Sequence, residues 1–314
     1  MLRSIVTMIR RIMIPLERHG RPLVIGLPYL WLAVFFLAPF AIVVKISMSD
    51  PATAQPPYTP VLNWRGTFAE WQDFLLALDF ENFETLWADD LYWQAGLASL
   101  RIAAVSTVLL LVAGYPLAYA MSRASRGVRP LLVALVILPF WTSFLIRVYA
   151  WIGILKPEGL LNQLLIGLGL IAEPLVVLNT PTAVYVGIVY AYLPFMVLPL
   201  YSALERQDPA LLEAAQDLGA RPAKAFWTVT VPLSLPGVVA GALLCFIPIV
   251  GEFVIPDLLG GSDTLMIGRT LWSEFFGNRD WPLASAVAVA MLLVIVIPIV
   301  IYRELEAQRW EATR

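Results

Sequence analysis

Side chains able to do covalent or metal chemistry are scarce in this sequence. His19 is the single histidine and Cys245 the single cysteine among 314 residues. One imidazole leaves no histidine cluster for a metal and no relay for a catalytic triad, and one thiol leaves no intrachain disulfide. No G-x-x-x-x-G-K-[ST] phosphate cradle occurs, so any use of ATP requires a nucleotide-binding partner. The chain is expected not to be an enzyme, to hold no cofactor and to bind no metal.

The remaining candidates suit charge recognition and mechanical contact. Glu252 is the one acidic residue placed inside an apolar stretch, where an ionisable group usually faces a cavity or a partner charge. It has two readings: contact with a cationic cargo, or a structural ion pair with Arg147. Asp257 follows at the same mouth, where acids raise the local concentration of cations. Trp141, Tyr149, Trp151, Tyr190 and Tyr192 offer ring faces to ammonium groups, although interfacial anchoring and bundle packing also account for such aromatics. Glu252, Asp257, Trp141, Tyr149 and Tyr192 are the candidate substrate-pathway residues.

A second constellation lies in a polar interval after Leu204. Asp208 suits a helix N-cap with Pro209 in the first helical position, and Gly219 suits a left-handed stop. The helix between them puts Leu211, Ala215 and Leu218 on one face and Glu213 with Asp217 on another. Ala214 and Ala215 allow close approach of a partner, and Pro222 and Pro232 stiffen the exit. Locally this is either a rigid contact element or an ordinary hairpin between two spans.

The elements positioning these residues are membrane helices. Sixty per cent of the chain is hydrophobic and 14% charged, against roughly 25% charged in soluble domains. A hydrocarbon core of roughly 30 Å takes about 20 apolar residues as a helix. Six stretches meet that need: Leu23 to Met48, Trp93 to Met121, Leu131 to Leu155, Thr182 to Leu204, Pro236 to Pro256 and Pro282 to Tyr302. The expected fold class is an all-α membrane bundle. It comprises an N-terminal segment 1–22, a transmembrane domain 23–303 with an external loop 49–92 and a loop 205–235, and a tail 304–314. Amphipathic helices are expected in the external loop from Phe68 to Leu78 and from Glu81 to Asp89.

Charge sets the orientation. Fourteen Lys and Arg fall on the side that holds both ends and the loops after spans two and four; the opposite loops hold only Arg65, Lys156, Arg269 and Arg279. The richer side is cytoplasmic, so both termini and the Glu213 loop lie inside. Arg-rich residues 1–21 before an apolar run also resemble a signal peptide, but that run exceeds an h-region and reads better as an uncleaved first span.

Glu213-Ala214-Ala215, Gly219, Val229 and Val231-Pro232 resemble the E-A-A-x₃-G-x₉-I-x-L-P loop of binding-protein-dependent ABC importer permeases, with valine replacing isoleucine and leucine. Pro139 to Trp151, Tyr190 to Tyr201, Gly251 to Gly261 and Asn278 to Pro282 resemble the polyamine permeases, nearest the putrescine type. The resemblance implies a type I importer permease in the bacterial inner membrane, working by alternating access. It implies that Glu213, Ala214, Ala215, Asp217, Gly219 and Pro232 couple to two ATPase subunits, which bind ATP and Mg. It further implies a second, homologous permease and a periplasmic polyamine-binding protein as partners, with membrane lipid around the bundle and no nucleic acid. Permeases for sulfate, iron or thiamine share the loop. An ion-driven secondary transporter would need further intramembrane ion-site residues and often a repeat, and a scaffold without transport is the third class.

Overall fold

The computed structural model describes residues 24–63, 65–261 and 264–312. The N-terminal segment 1–22, with His19, lies outside the described residues. The chain forms two compact units, one of residues up to Leu86 with Arg279–Ala290, the other of Trp87–Asn278 with Met291 onward.

The first unit opens with α1 (Val24–Ser47), whose apolar window is wholly uncovered, as expected of a helix facing lipid. Its end is tied to the loop that follows. The Lys45 ammonium lies over the Tyr58 ring at 4.2 Å and the Phe74 ring at 5.4 Å, and donates to the Pro60 carbonyl. Asn82 Nδ2 donates to the carbonyls of Ser47 and Ser49 at 3.1 and 2.8 Å. Within the loop, β1 (Asp50–Pro51) pairs antiparallel with β2 (Tyr58–Thr59), a small departure from an all-helical chain. α2 (Phe68–Leu76) and α3 (Glu81–Ala88) form where amphipathic helices were expected; Thr67 caps α2 by accepting from the Glu70 amide.

The second unit is built on α4 (Asp90–Arg123), α8 (Pro181–Glu205) and α10 (Pro222–Val250). Leu110, Met196, Val197, Leu200, Cys245 and Ile249 are fully buried between them. Small residues permit this closeness, as they do wherever packing rather than water drives helix association. A Cβ on Gly237 would stand 2.5 Å from the Ala203 Cβ and 2.9 Å from the Pro199 carbonyl oxygen. Backbone cannot yield as a flexible side chain does, so Gly237→Val should destabilise the α8–α10 contact by about 1–3 kcal/mol or more. The check is a lowered midpoint for detergent-solubilised chain in a thermal unfolding assay, and an unchanged midpoint would contradict this packing.

Two expected spans are corrected. The third is not one continuous helix: α5 (Arg129–Ile137), extended by a 3₁₀ turn to Trp141, meets the segment from Phe144 onward at 88°. Pro139 withdraws a backbone donor, and Thr142 and Ser143 adopt extended ψ values of 152° and 138°. α6 (Phe144–Leu155) and α7 (Leu160–Gly167) follow. The fifth helix starts well before Pro236, because a π turn over Phe226–Thr230 carries the helix past Pro232 and Pro236, and it ends at Val250 rather than Pro256. Among the described residues four helices are long and apolar enough to cross a membrane, or five if the bent pair is one span; the last helix contributes a shorter apolar stretch, Trp281–Val296.

The unit is completed by α9 (Pro209–Asp217), α11 (Val254–Leu259) and α12 (Ile267–Trp272). The final helix, α13 (Trp281–Ala312), belongs to both units.

Candidate functional site

α9 forms as its sequence dictates. Asp208 accepts from the Ala210 amide at 3.0 Å, Pro209 fills the first helical position, and Gly219 takes φ +82°. The Gly219 and Ala220 amides close the end by donating to Gln216 and Ala215 carbonyls at 2.8 and 3.0 Å. These bonds satisfy backbone groups left over at both ends of the helix. Glu213, Ala214 and Asp217 are exposed, Ala215 is half-buried, and Leu218 is 90% exposed. The apolar face expected at Leu211, Ala215 and Leu218 therefore exists and is largely uncovered. Pro232 is exposed on α10, just beyond the π turn.

Sequence reasoning missed what fixes this loop to the bundle. Phe226, in the π turn, meets Tyr115 and Tyr119 of α4 edge-on at 5.8 and 5.3 Å, and Tyr115 shares a 2.9 Å hydrogen bond with Ser234. Gln207 Nε2 donates to the Thr230 carbonyl at 2.9 Å, bridging the start of the loop to its return. Phe226, seven residues after Gly219 in the same loop, was the available signal.

At the other end of α10, about 40 Å away by helical rise, Glu252 is 8% exposed. One carboxylate oxygen accepts from Tyr192 Oη at 2.6 Å; the other accepts from the Val254 and Ile255 amides at 3.0 and 3.4 Å, capping α11. Two of the five pathway residues are thus brought together. Asp257 instead pairs with Arg269 at 3.1 Å, and Trp141 and Tyr149 are exposed near the elbow of the bent pair. The Arg147–Glu252 ion pair is not formed. Arg147 folds back over Phe140 and Phe144 at 5.3 and 5.8 Å, with Nε and Nη1 buried and without hydrogen-bond partners. The physical reason is local competition: Glu252 already has three neutral donors, two amides at its own turn and Tyr192 of α8, and the 88° elbow turns Arg147 onto its own aromatic neighbours.

A capped, largely uncovered helix thus stands at one end of a multi-helix apolar unit and a buried carboxylate at the other. Residues 21–310 match the family model described as binding-protein-dependent transport system inner membrane component. The spermidine/putrescine transport system permease protein PotB of Haemophilus influenzae is 43% identical over 229 residues, 73% of this chain and 80% of that protein. Among solved structures, a bacterial ABC transporter involved in import of the acidic polysaccharide alginate superposes with TM-score 0.68 at 17% identity, covering 95% of this chain and 99% of that one. The same kind of transporter in complex with alginate pentasaccharide-bound periplasmic protein gives TM-score 0.66 at 17% identity, covering 91% and 94%. With nearly the whole chain inside the family model and the fold shared with importer permeases, this chain belongs to the family of binding-protein-dependent transport-system inner-membrane components, the permease subunits of ABC transporters.

Proposed function

We propose that this chain is a permease subunit of an ATP-driven polyamine importer, carrying putrescine, spermidine or both across the bacterial inner membrane. The observation that carries the reading is α9, a helix capped at both ends whose apolar and acidic faces are left uncovered, in a chain 43% identical to a spermidine/putrescine permease. Six spans with both ends in the cytoplasm, the fifth beginning in the loop itself, put α9 on the side where ATP is available. A homologous permease, two ATPase subunits and a periplasmic polyamine-binding protein complete the machine. Glu213, Ala214, Ala215, Asp217 and Gly219 form or shape the surface seated on the ATPase, and Pro232 stiffens the return.

ATP closes the ATPase dimer, α9 moves with it, and Phe226 passes the displacement to α4 through Tyr115 and Tyr119. The bundle then exchanges one access for the other, and the ATPase supplies the bias because it contacts the two states differently. Glu252 and Tyr192 lie near the opposite mouth, where a carboxylate suits an ammonium cargo.

The test is reconstitution of the four kinds of subunit in proteoliposomes with ATP inside and labelled putrescine or spermidine outside. Saturable, ATP-dependent uptake that requires the binding protein is expected. Uptake without nucleotide, or ATPase stimulation by another solute but by neither polyamine, would sink the reading.

A further inference from the structure

The end of the second unit remote from α9 carries a continuous aromatic ladder. Phe253 stacks on Trp272 with ring centroids 4.6 Å apart and planes 12° from parallel; Trp272 meets Phe276 at 4.1 Å, and Phe276 meets Phe275 at 4.8 Å. Trp272 and Phe276 are four residues apart, spaced to share one helical face. The helix changes to a π turn over Ser273–Asn278, a device that re-aims side chains and recurs at functional sites. Gly268 brings the first rung into place. A Cβ there would stand 2.4 Å from the Gly251 carbonyl oxygen and 2.9 Å from that of Glu252. Only glycine lets α12 press so closely on the 251–252 turn, and that contact carries Phe253 to Trp272. Trp272 remains 46% exposed and Phe276 57% exposed.

Two carboxylates adjoin these rings along the chain. Glu252 immediately precedes Phe253 and is held by Tyr192 and two backbone amides. Glu274, between Trp272 and Phe276 in sequence, is 9% exposed; it accepts from Tyr92 Oη at 3.2 Å and from Asn278 Nδ2 at 2.7 Å. Every one of these donors is neutral. Among the described residues neither carboxylate forms an ion pair, whereas Asp257 on the same segment pairs with Arg269. Hydroxyl and amide donors hold a carboxylate in position but leave its charge uncompensated. Lipid anchoring would account for exposed aromatic rings alone. It does not account for two buried carboxylates held by neutral donors alone in the same short segments, which are costly inside a membrane protein. Aromatic rings together with fixed anions at one end of the unit are the chemistry that receives an ammonium group.

We propose that the ladder Phe253, Trp272 and Phe276, together with Glu252 and Glu274, is a binding subsite for an alkylammonium group, engaged by cargo on its way into the bundle. This rests on the polyamine reading above and assigns residues to it. Ring contact supplies affinity for the methylene chain and its terminal ammonium, and the carboxylates supply preference for charge over neutral amines of the same length.

The experiment uses the assembled importer in proteoliposomes, with wild type measured first. If the wild-type assembly moves another solute but no polyamine, the cargo reading fails and the subsite falls with it. If wild type transports polyamine, W272A/F276A should raise the apparent KM for putrescine roughly tenfold, since each exposed ring contact is worth about a twofold to fivefold change in binding. Maximal rate should change far less. W272F/F276Y, which keeps ring faces, should restore most of the affinity. E274Q should weaken discrimination between putrescine and a neutral isostere of the same length, with Asn278 and Tyr92 still bonded to the side chain. Unchanged KM in a correctly assembled W272A/F276A importer would overturn the subsite. So would reduced insertion with normal KM, which would make the ladder a lipid anchor, or lost stimulation by loaded binding protein with normal KM, which would make it a protein-docking surface.

Discussion

Glu213→Lys should reduce ATP-driven uptake at least a hundredfold while the chain still inserts and α9 still forms. The residue takes no part in the caps, which are made by Asp208 at one end and by Gly219 and Ala220 at the other. Lys and Glu have nearly equal helix propensity, so the helix has no local reason to unwind. What changes is the sign of an exposed charge on the surface proposed to seat on the ATPase. A hundredfold loss corresponds to about 2.7 kcal/mol, within the range for a well-placed contact in a docking surface. Gly219→Val should act by a different route. Its φ of +82° is open to glycine and strained for a β-branched residue, so the C-terminal turn of α9 must rearrange and Leu218 with it. Phe226→Ala separates docking from transmission: α9 keeps its surface, but the wedge against Tyr115 and Tyr119 is gone. The measurements are uptake and ATPase co-purification on the same preparations. Glu213→Lys should lose both, and Phe226→Ala should retain the ATPase while losing uptake. Wild-type uptake by Glu213→Lys would exclude α9 as the coupling element.

The parts of this molecule governed by short-range rules were legible in the sequence. Asp208-Pro209 and Gly219 determine α9 within about ten residues, and the structure has those caps and that positive φ. Apolar length located the four helices long and apolar enough to cross a membrane, because a membrane helix must satisfy its backbone internally. The misreadings arose where proline has two outcomes. Pro139 breaks the third span because Thr142 and Ser143 accept extended backbone, whereas Pro232 and Pro236 are absorbed into α10 by the π turn before them. Contacts between distant segments carried no local mark. Tyr92 reaching Glu274 and Phe226 reaching Tyr115 span 182 and 111 residues of chain, and nothing in either neighbourhood specifies the other partner. The Arg147–Glu252 pair was inferred from opposite charge at similar depth, a rule blind to the neutral donors that Glu252 finds at its own turn.

Those donors make Glu252 the position where charge and structure can be separated by substitution. Glu252→Leu removes the acceptor for Tyr192 Oη and for the Val254 and Ile255 amides together. Each buried polar group left without a partner costs about 1–3 kcal/mol, so the turn from α10 to α11 should open far more often. The protein carries its own reporter of that opening. Cys245, its single cysteine, is buried, with Sγ 3.7 Å from the Tyr192 carbonyl. Local opening exposes the thiol, and when opening limits labelling the rate follows the open population. Labelling of Cys245 by a maleimide should therefore accelerate at least about tenfold in Glu252→Leu, the equivalent of the 1.4 kcal/mol that moves an equilibrium by that factor. Glu252→Gln keeps a carbonyl oxygen for the amides and an atom within reach of Tyr192, so its labelling rate should stay near wild type. Its polyamine KM, however, should rise, because the negative charge is gone. A Gln variant with wild-type KM and a Leu variant with fast labelling would assign Glu252 to the architecture of the turn alone; slow labelling in both would mean that the hydrogen bonds to Tyr192 and α11 do not hold that turn closed.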